Sequence, residues 1–485
     1  MAVTTHESTA AAKAAWIGLI LGPLLLLLCL VTEPPAGLSE TAWATIGLAL
    51  LMATWWSTEA IPIPATSLLP ILLIPALGID SLNAATAPYA NPTIYLFLGG
   101  FILGLAMERW NLHKRIALMT LLAMGSKPSR QIAGFMMATA FLSMWVSNTA
   151  TTIMMLPIGL SVIAMLSGEN KTSETDRERF ATALLLAIAY AASLGGIATL
   201  IGTPPNALLA AFLADNYDVQ IGFGQWMLLG VPVSAMMLIF TWWWLTRDGF
   251  NLRGHDSTQL IRSELAELGP LSRGEKLVAL VFVVTALAWI FQPLIADWIS
   301  GVNDTSIAIA AALALFIIPV DTKKRVFLMN WESAGKLPWG VLLLFGGGLS
   351  LAGVIRSSGL AEWIAQSLGA LGALPVIAIV GVVVLVIIFL TEITSNTATA
   401  AAFLPLLGAL AVAQGMPAEL LAIPAAIAAS CAFMMPVATP PNAIVFGTGH
   451  MKIQSMIKAG FALNLFGVVV VTLACYLLVG LIWAH

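Results

Sequence analysis

The chain has 485 residues, of which 59% are hydrophobic and only 9% charged, with a formal net charge of -3. A soluble domain carries roughly 25% charged residues, so a water-facing surface over the whole molecule is excluded. The few charges fall in loops and point to no nucleic-acid partner, and the scattered Cys29, Cys431 and Cys475 make no CxxC or Cys/His spacing, which excludes a disulfide framework or a zinc site.

In chain order, Lys13 precedes an apolar run to Val31 that has the outline of a signal peptide. The small-residue cleavage pattern is missing and further apolar segments follow, so the run reads as a first span. Those segments fall at 42–56, 61–79, 93–107, 131–166, 180–213, 222–246, 277–297, 305–320, 338–355, 372–414, 419–446 and 459–483. Most approach the ~20 residues a spanning helix needs. Two of them, 131–166 and 372–414, are too long for one crossing and carry a polar triplet in the middle. Such a segment reads as a re-entrant hairpin, whose non-helical tip the membrane tolerates only where protein or a cavity surrounds it. The expected fold is an all-α polytopic membrane protein with about 11 transmembrane helices plus two re-entrant hairpins. With the N-terminus in the cytoplasm of a cell membrane, 20 of the 21 Lys and Arg residues lie inside, Arg356 being the exception, and the C-terminus at His485 lies outside.

The chain repeats itself. Leu96-Phe97-Leu98-Gly99-Gly100 matches Leu344-Phe345-Gly346-Gly347-Gly348 at an offset of 248 residues, and Ser147-Asn148-Thr149-Ala150-Thr151 matches Ser395-Asn396-Thr397-Ala398-Thr399 at the same offset. Thr203-Pro204-Pro205-Asn206-Ala207 matches Thr439-Pro440-Pro441-Asn442-Ala443 at 236; the 12-residue difference is the charged loop 168–179. The organisation read from this is an N-terminal segment and first span at 1–40, a first repeat at 41–246, a cytoplasmic linker at 247–276 and a second repeat at 277–485. Five crossings per repeat invert the second copy relative to the first. Inverted repeats with interrupted hydrophobic segments at matching positions mark secondary transporters, with the site near the midplane.

The motifs carry suitable chemistry. Ser-Asn-Thr at a hairpin tip offers hydroxyl and amide donors for a carboxylate and oxygens for a hard cation, beside the N-terminus of the returning helix, which favours an anion. Two such tips can hold the two ends of a short dianion. Thr-Pro-Pro-Asn breaks a spanning helix, which frees carbonyls near Gly202 and Ala438 for a cation such as sodium. Ser143 and Thr391, one turn before each tip, add hydroxyl oxygens. A single Ser-Asn-Thr in a membrane helix is ordinarily interhelical glue and a lone Pro-Pro a kink; duplication in register favours a site. No Lys, Arg or His lies in a span core, so a dianion at the midplane must bring cations with it.

Two acids, Glu59 and Glu392, lie at a span edge and in a hairpin; each is either a proton-coupling group or an acid that is protonated or hydrogen-bonded to free helix-end donors. The 16 tryptophans read as interface anchors. His113 and His450 read as cytoplasmic loop residues.

The paired Ser-Asn-Thr motifs, each followed by a Thr-Pro-Pro-Asn break, resemble the divalent anion/sodium symporters, the sodium/dicarboxylate transporters, from about Trp55 to the C-terminus. The resemblance implies a homodimer in the lipid bilayer, each protomer having a scaffold and a transport domain that moves as an elevator. It implies that Ser147, Asn148, Thr149, Ser395, Asn396, Thr397 and Pro440 contact the substrate. One sodium ion would be held by Ser143, Ser147, Asn148 and the carbonyl of Gly202; another by Thr391, Thr394, Asn396 and the carbonyl of Ala438. The function it implies is sodium-coupled symport of C4-dicarboxylates such as succinate, malate and fumarate. A sodium-independent exchanger of the same fold and a carrier of citrate or sulfate are the alternatives. A sodium/proton antiporter would carry a buried Asp in a span core, and a membrane enzyme would carry HExxH, GxSxG or clustered His and Cys; the chain has none of these.

Overall fold

The computed structural model describes residues 2–167, 174–250, 258–367 and 375–483. The centre of the charged loop at 168–173, linker residues 251–257, the first residues of the second hairpin at 372–374 and the C-terminal His485 lie outside the described residues. The protein is an all-α polytopic membrane protein. Its one sheet among the described residues is a two-stranded antiparallel turn, Pro319–Asp321 with Val326–Phe327.

The chain opens with α1 (Ala2–Val31) and α2 (Glu40–Thr58). These pack against each other through glycines: a Cβ on Gly22 would meet Trp55, and one on Gly47 would meet Leu26 and Cys29. Small residues allow such close approach where lipid provides no hydrophobic drive. The expected span at 61–79 is two short helices instead, Ile63–Thr66 and Leu69–Ala76. Prolines 62, 64, 70 and 75 explain the interruption, since each lacks an N–H. Next come α3 (Pro92–Arg109) and α4 (Leu112–Met124). His113 therefore sits in a helix rather than a loop, its ring bonded to the Met107 carbonyl at 3.0 Å.

The first hairpin is α5 (Pro128–Ser143) returning as α6 (Asn148–Ser167). The first broken span is α7 (Glu174–Ile197) continuing as α8 (Pro204–Tyr217), and α9 (Phe223–Thr246) closes this half. Between the halves, α10 (Thr258–Glu267) lies against α4. In the second half, α11 (Arg273–Ile290) bends by 80° into Gln292–Trp298, and α12 (Asp304–Ile317) and α13 (Trp339–Ser357) follow. The second hairpin is α14 (Val376–Thr391) and α15 (Asn396–Ala413); the second broken span is α16 (Glu419–Ala429) and α17 (Pro440–Phe446); α18 (Ile453–Ile482) ends the fold.

The two hairpins are superimposable in sequence: helices stop at 143 and 391 and restart at 148 and 396, each pair 248 residues apart. Each inbound arm has 16 residues, about 24 Å of helix, short of the ~30 Å hydrocarbon core. By length and composition eight helices among the described residues can cross a membrane, or nine counting the bent pair, and the rest of the apolar sequence forms shorter helices. Lipid-facing apolar side chains are correspondingly exposed, for example Ile239, Leu294 and Leu481.

The tryptophans divide into two groups. Trp243, Trp298 and Trp331 are exposed, as interface anchors are. Trp56, Trp226 and Trp289 are instead fully buried, and their indole N–H groups donate to Ser67 Oγ, the Ile197 carbonyl and the Asp304 carbonyl. Trp145, just before the first tip, stacks with Phe223 and Trp289. At these four positions burial is offset by an acceptor for the N–H or an aromatic neighbour for the ring.

Candidate functional site

At the first tip, Ser147 ends the turn and its Oγ accepts the Ala150 N–H at 3.2 Å, capping α6. Ser143, wholly buried at the end of α5, donates to the Ala192 carbonyl of α7 at 2.7 Å. Its oxygen then faces the amide end of Asn148 at 2.6 Å. That amide end also lies 3.1 Å from the Ala192 carbonyl and 3.3 Å from the Gly202 carbonyl in the break. All three neighbours are acceptors. With its nitrogen inward the Asn148 amide donates to them; with its oxygen inward it accepts from Ser143 and adds one more oxygen beside the two carbonyls, a donor set that suits a hard cation. Of the four expected partners, Ser143, Asn148 and the Gly202 carbonyl meet here, while the Ser147 hydroxyl is turned to the Ala150 N–H.

Glycine makes this cage possible. A Cβ on Gly196 would lie 2.8 Å from Asn148 Oδ1 and 2.9 Å from the Gly202 oxygen, and one on Gly202 would lie 2.5 Å from the Gly196 oxygen. Gly196 was not among the residues expected; its signal was a Gly-Gly pair inside an apolar run. Asn206 holds the break open from the other side, its Nδ2 donating to the carbonyls of Thr199 at 2.8 Å and Gly196 at 3.3 Å.

The second tip uses the same parts. Thr391, also wholly buried, bonds the Asn396 amide oxygen at 2.8 Å and the Ala429 carbonyl of α16 at 3.0 Å. Asn442 repeats the role of Asn206, donating to the carbonyls of Ala432 and Met435, both at 3.1 Å. Thr394 is turned into its own hairpin, bonded to the Leu390 carbonyl at 2.9 Å and to Thr399 at 2.6 Å. Ser395 makes no capping bond, so its hydroxyl is uncommitted at the helix end, beside Asn396 and the nearly buried Thr397. Thr149 is half-buried at its tip, Pro440 is exposed at the start of α17, and Ala438 is buried in the turn before it.

The halves differ in one respect. The first span breaks at 198–203, where Thr-Pro-Pro-Asn sits, whereas the second loses its helix at 430, nine residues before Thr439. Glu392 accounts for this. Its carboxylate accepts the N–H groups of Phe433, Met434 and Met435 at 2.7–3.1 Å and the Asn464 amide at 2.8 Å. Three consecutive amides turned onto one carboxylate cannot stay in a helix. The corresponding residue of the first half is Met144, whose carbonyl accepts from Thr199. Of the two readings for Glu392, the geometry is that of a carboxylate bound to helix-end donors. Glu59 is an exposed left-handed cap on α2, with φ 48°.

The breaks and tips interlock across the halves. The helix from the first tip, α6, packs on α17 beyond the second break, and the helix from the second tip, α15, packs on α8 beyond the first. Thr203 and Ser430 approach at 3.5 Å between their hydroxyl oxygens, and the buried Tyr190 donates to the Phe433 carbonyl at 2.7 Å. Tyr190, Ser430 and Asn464 carry no motif and were not legible as site residues. Among the described residues no group of three His, Cys, Asp or Glu forms a metal site.

A family model described as the sodium:sulfate symporter transmembrane region matches residues 13–484. The sodium-dependent dicarboxylate transporter SdcS of Staphylococcus saprophyticus is 46% identical over 476 residues, covering 96% of this chain and 91% of that protein. The protein of the same name from Staphylococcus aureus strain USA300 is 45% identical, covering 95% and 90%. Two solved structures share the fold: the YdaH transporter of Alcanivorax borkumensis (TM-score 0.54, 14% identity, 99% of each chain) and MtrF of Neisseria gonorrhoeae (TM-score 0.57, 12% identity, 96% of each).

Proposed function

The chain belongs to the sodium:sulfate symporter family, and within it we propose that this protein is a secondary active transporter that carries C4-dicarboxylates such as succinate, malate and fumarate together with sodium ions. It is a transporter and not an enzyme. The observation that carries the reading is the cluster of Ser143, Ala192 and Gly202 oxygens around the Asn148 amide, in a chain similar over most of its length to proteins named for sodium-dependent dicarboxylate transport. The hairpin tips and helix breaks carry no Lys, Arg or His to neutralise a dianion. Sodium ions held by serine, asparagine and carbonyl oxygens supply the missing charge and couple the flux.

The mechanism follows from the parts. As sodium enters, the Asn148 amide turns its oxygen from the exterior of the cage to the ion and exposes its nitrogen, together with Thr149, to the substrate. At the second tip the Asn396 amide oxygen already faces Thr391, which leaves its nitrogen, with Ser395 and Thr397, for the substrate, and Pro440 borders the site. Each carboxylate of the dianion then meets one tip, at the N-terminus of α6 or α15. The second sodium takes Thr391, Asn396 and the Ala438 carbonyl, with Thr394 releasing its bond to Thr399 to join them. Binding sodium thus prepares donors for the anion, and a half-loaded site remains charged.

The hairpins, broken spans, α9 and α18 form the moving transport domain, and α2, α3 and α11–α13 the scaffold, in a homodimer of a bacterial plasma membrane. Its N-terminus is cytoplasmic and its C-terminus external. In support, Arg356 sits beside Asp215 and Asn91 while Lys114 and Arg115 meet the linker acids Glu264 and Glu275, as the assigned faces require.

The test is uptake of labelled succinate into proteoliposomes under an inward sodium gradient, against a potassium control. Accumulation that needs sodium is expected. Uptake only into vesicles preloaded with succinate would instead make the protein an exchanger, and silence in both arms would remove the substrate assignment.

A further inference from the structure

Two cavities on the α9–α18 face have no part in the site above. The first, of about 500 Å³, lies where the start of α7, the end of α9 and the start of α18 meet, at the end assigned to the cytoplasm. Its walls carry Arg179, Arg247, Lys452 and Lys458 against Glu178 and Asp248. Asp248 is shared by Arg179 at 3.5 Å and Arg247 at 3.9 Å, and Arg247 stacks over Trp244 at 3.5 Å. Lys452 and Lys458 have no ion-pair partner among the described residues. Lys452 also occupies the cap position of the 30-residue α18 and makes no capping bond, so the helix end adds its field to the surplus positive charge.

The second cavity, about 320 Å³ and wholly apolar, is lined by Met236, Ile239, Phe240, Trp243 and Phe466, from the same two helices. Phe240 lies one turn from Trp244 along α9, and Phe466 two turns from Lys458 along α18. A basic pocket at the membrane surface with an apolar groove directly beside it on the bilayer side has the polarity of a single ligand: a phosphate head and an alkyl chain.

We infer that this face binds one anionic phospholipid of the surrounding bilayer, its headgroup phosphate between Lys452, Lys458 and Arg247 and an acyl chain in the groove at Phe240 and Phe466. Basic pockets between transmembrane helices on the cytoplasmic side suit such headgroups. Because α7, α9 and α18 belong to the proposed moving domain, the lipid would travel with it. Binding itself does not depend on the transport reading and is measured without it.

The experiment is native mass spectrometry and thermal melting of the full-length protein in detergent. Dioleoyl phosphatidylglycerol is compared with dioleoyl phosphatidylcholine, inorganic phosphate and deacylated glycerophosphoglycerol. A retained adduct and a raised melting midpoint are expected with phosphatidylglycerol alone. The double variant Lys452→Gln/Lys458→Gln should bind it about thirtyfold more weakly, the factor that two basic side chains contribute near a membrane surface. Lys452→Arg/Lys458→Arg, which keeps the charge, should bind as the parent does. Equal response to both lipids would overturn the inference. So would equal response to inorganic phosphate or the deacylated headgroup, which would mark a free-phosphate site, or unchanged affinity in the glutamine variant.

Discussion

At Asn148 one amide faces three oxygens, and in the proposed mechanism its rotation couples sodium to substrate. Removing it leaves Ser143 and the Gly202 carbonyl without their common partner. Asn148→Ala and Asn396→Ala should each reduce succinate uptake to background in proteoliposomes while the proteins remain folded and membrane-inserted; wild-type uptake in both would remove the site assignment. Gly202→Ala is a more selective probe, because its Cβ would lie 2.5 Å from the Gly196 oxygen and push the cage apart. Its sodium requirement for half-maximal uptake should rise at least about tenfold, roughly 1.4 kcal/mol, and an unchanged sodium titration would show that Gly202 takes no part. Glu392 is different in kind. Its carboxylate satisfies four N–H donors, and charge-assisted hydrogen bonds contribute about 1.5–3 kcal/mol each before relaxation. Glu392→Gln should therefore lower thermal stability by about 2 kcal/mol or more and leave the pH profile of residual uptake as in the parent. A stable variant that has lost its pH dependence would make Glu392 a proton carrier instead.

At the scale of elements, the glycine runs that first appeared only as repeats of one another have a mechanical meaning. On α3, a Cβ on Gly100 would meet Ile201 at 3.0 Å and one on Gly104 the Trp145 carbonyl at 3.1 Å; on α13, a Cβ on Gly348 would meet Ala401 at 3.2 Å. At these glycines both helices let the hairpins and breaks approach their backbone closely. Elsewhere the elements are pinned. Arg115 of α4 is buried against Glu275 of α11 at 2.6 Å and also donates to the carbonyls of Leu268 and Gly269, while Glu275 closes a capping box with Ser272. Removing one partner of such a buried pair strands the other. Arg115→Ala should destabilise the protein by about 3–5 kcal/mol in a melt, and Arg115→Met/Glu275→Leu should recover most of that loss; a null effect of Arg115→Ala would mean the pair is solvated.

For the whole molecule, the proposed scaffold and transport domain would have to slide past one another. Gly348 of α13 and Ala401 of α15 lie across the proposed boundary at a separation a disulfide can bridge with small adjustment. In Gly348→Cys/Ala401→Cys, oxidation should abolish sodium-driven uptake and reduction should restore it. Full uptake in the cross-linked protein would place both residues on one rigid body and end the elevator reading. The buried native Cys29, Cys431 and Cys475 make a cysteine-replaced background the proper control.

How much of this was legible in the sequence depends on the range of the physics. Membrane residence, the helical class, the hairpins and the roles of Ser143, Asn148, Gly202, Thr391 and Asn396 as a candidate set follow from local facts: hydropathy, the absence of charge, proline's missing N–H, and a motif repeated in register. The interruption of 61–79 lies in its prolines, which its high hydropathy masks. What only the tertiary structure decided are contacts between segments far apart in the chain. Glu392 melts α16 early because its carboxylate meets amides 41 to 43 positions away; Tyr190 and Ser430 join the halves through single hydrogen bonds; buried tryptophans find acceptors that no spacing rule announces. The sequence by itself determined which oxygens and donors the protein owns and that they come in two copies. The fold alone decided which of them face one another, because a hydrogen bond or a cation cage is a matter of ångströms, and chain separation does not measure ångströms.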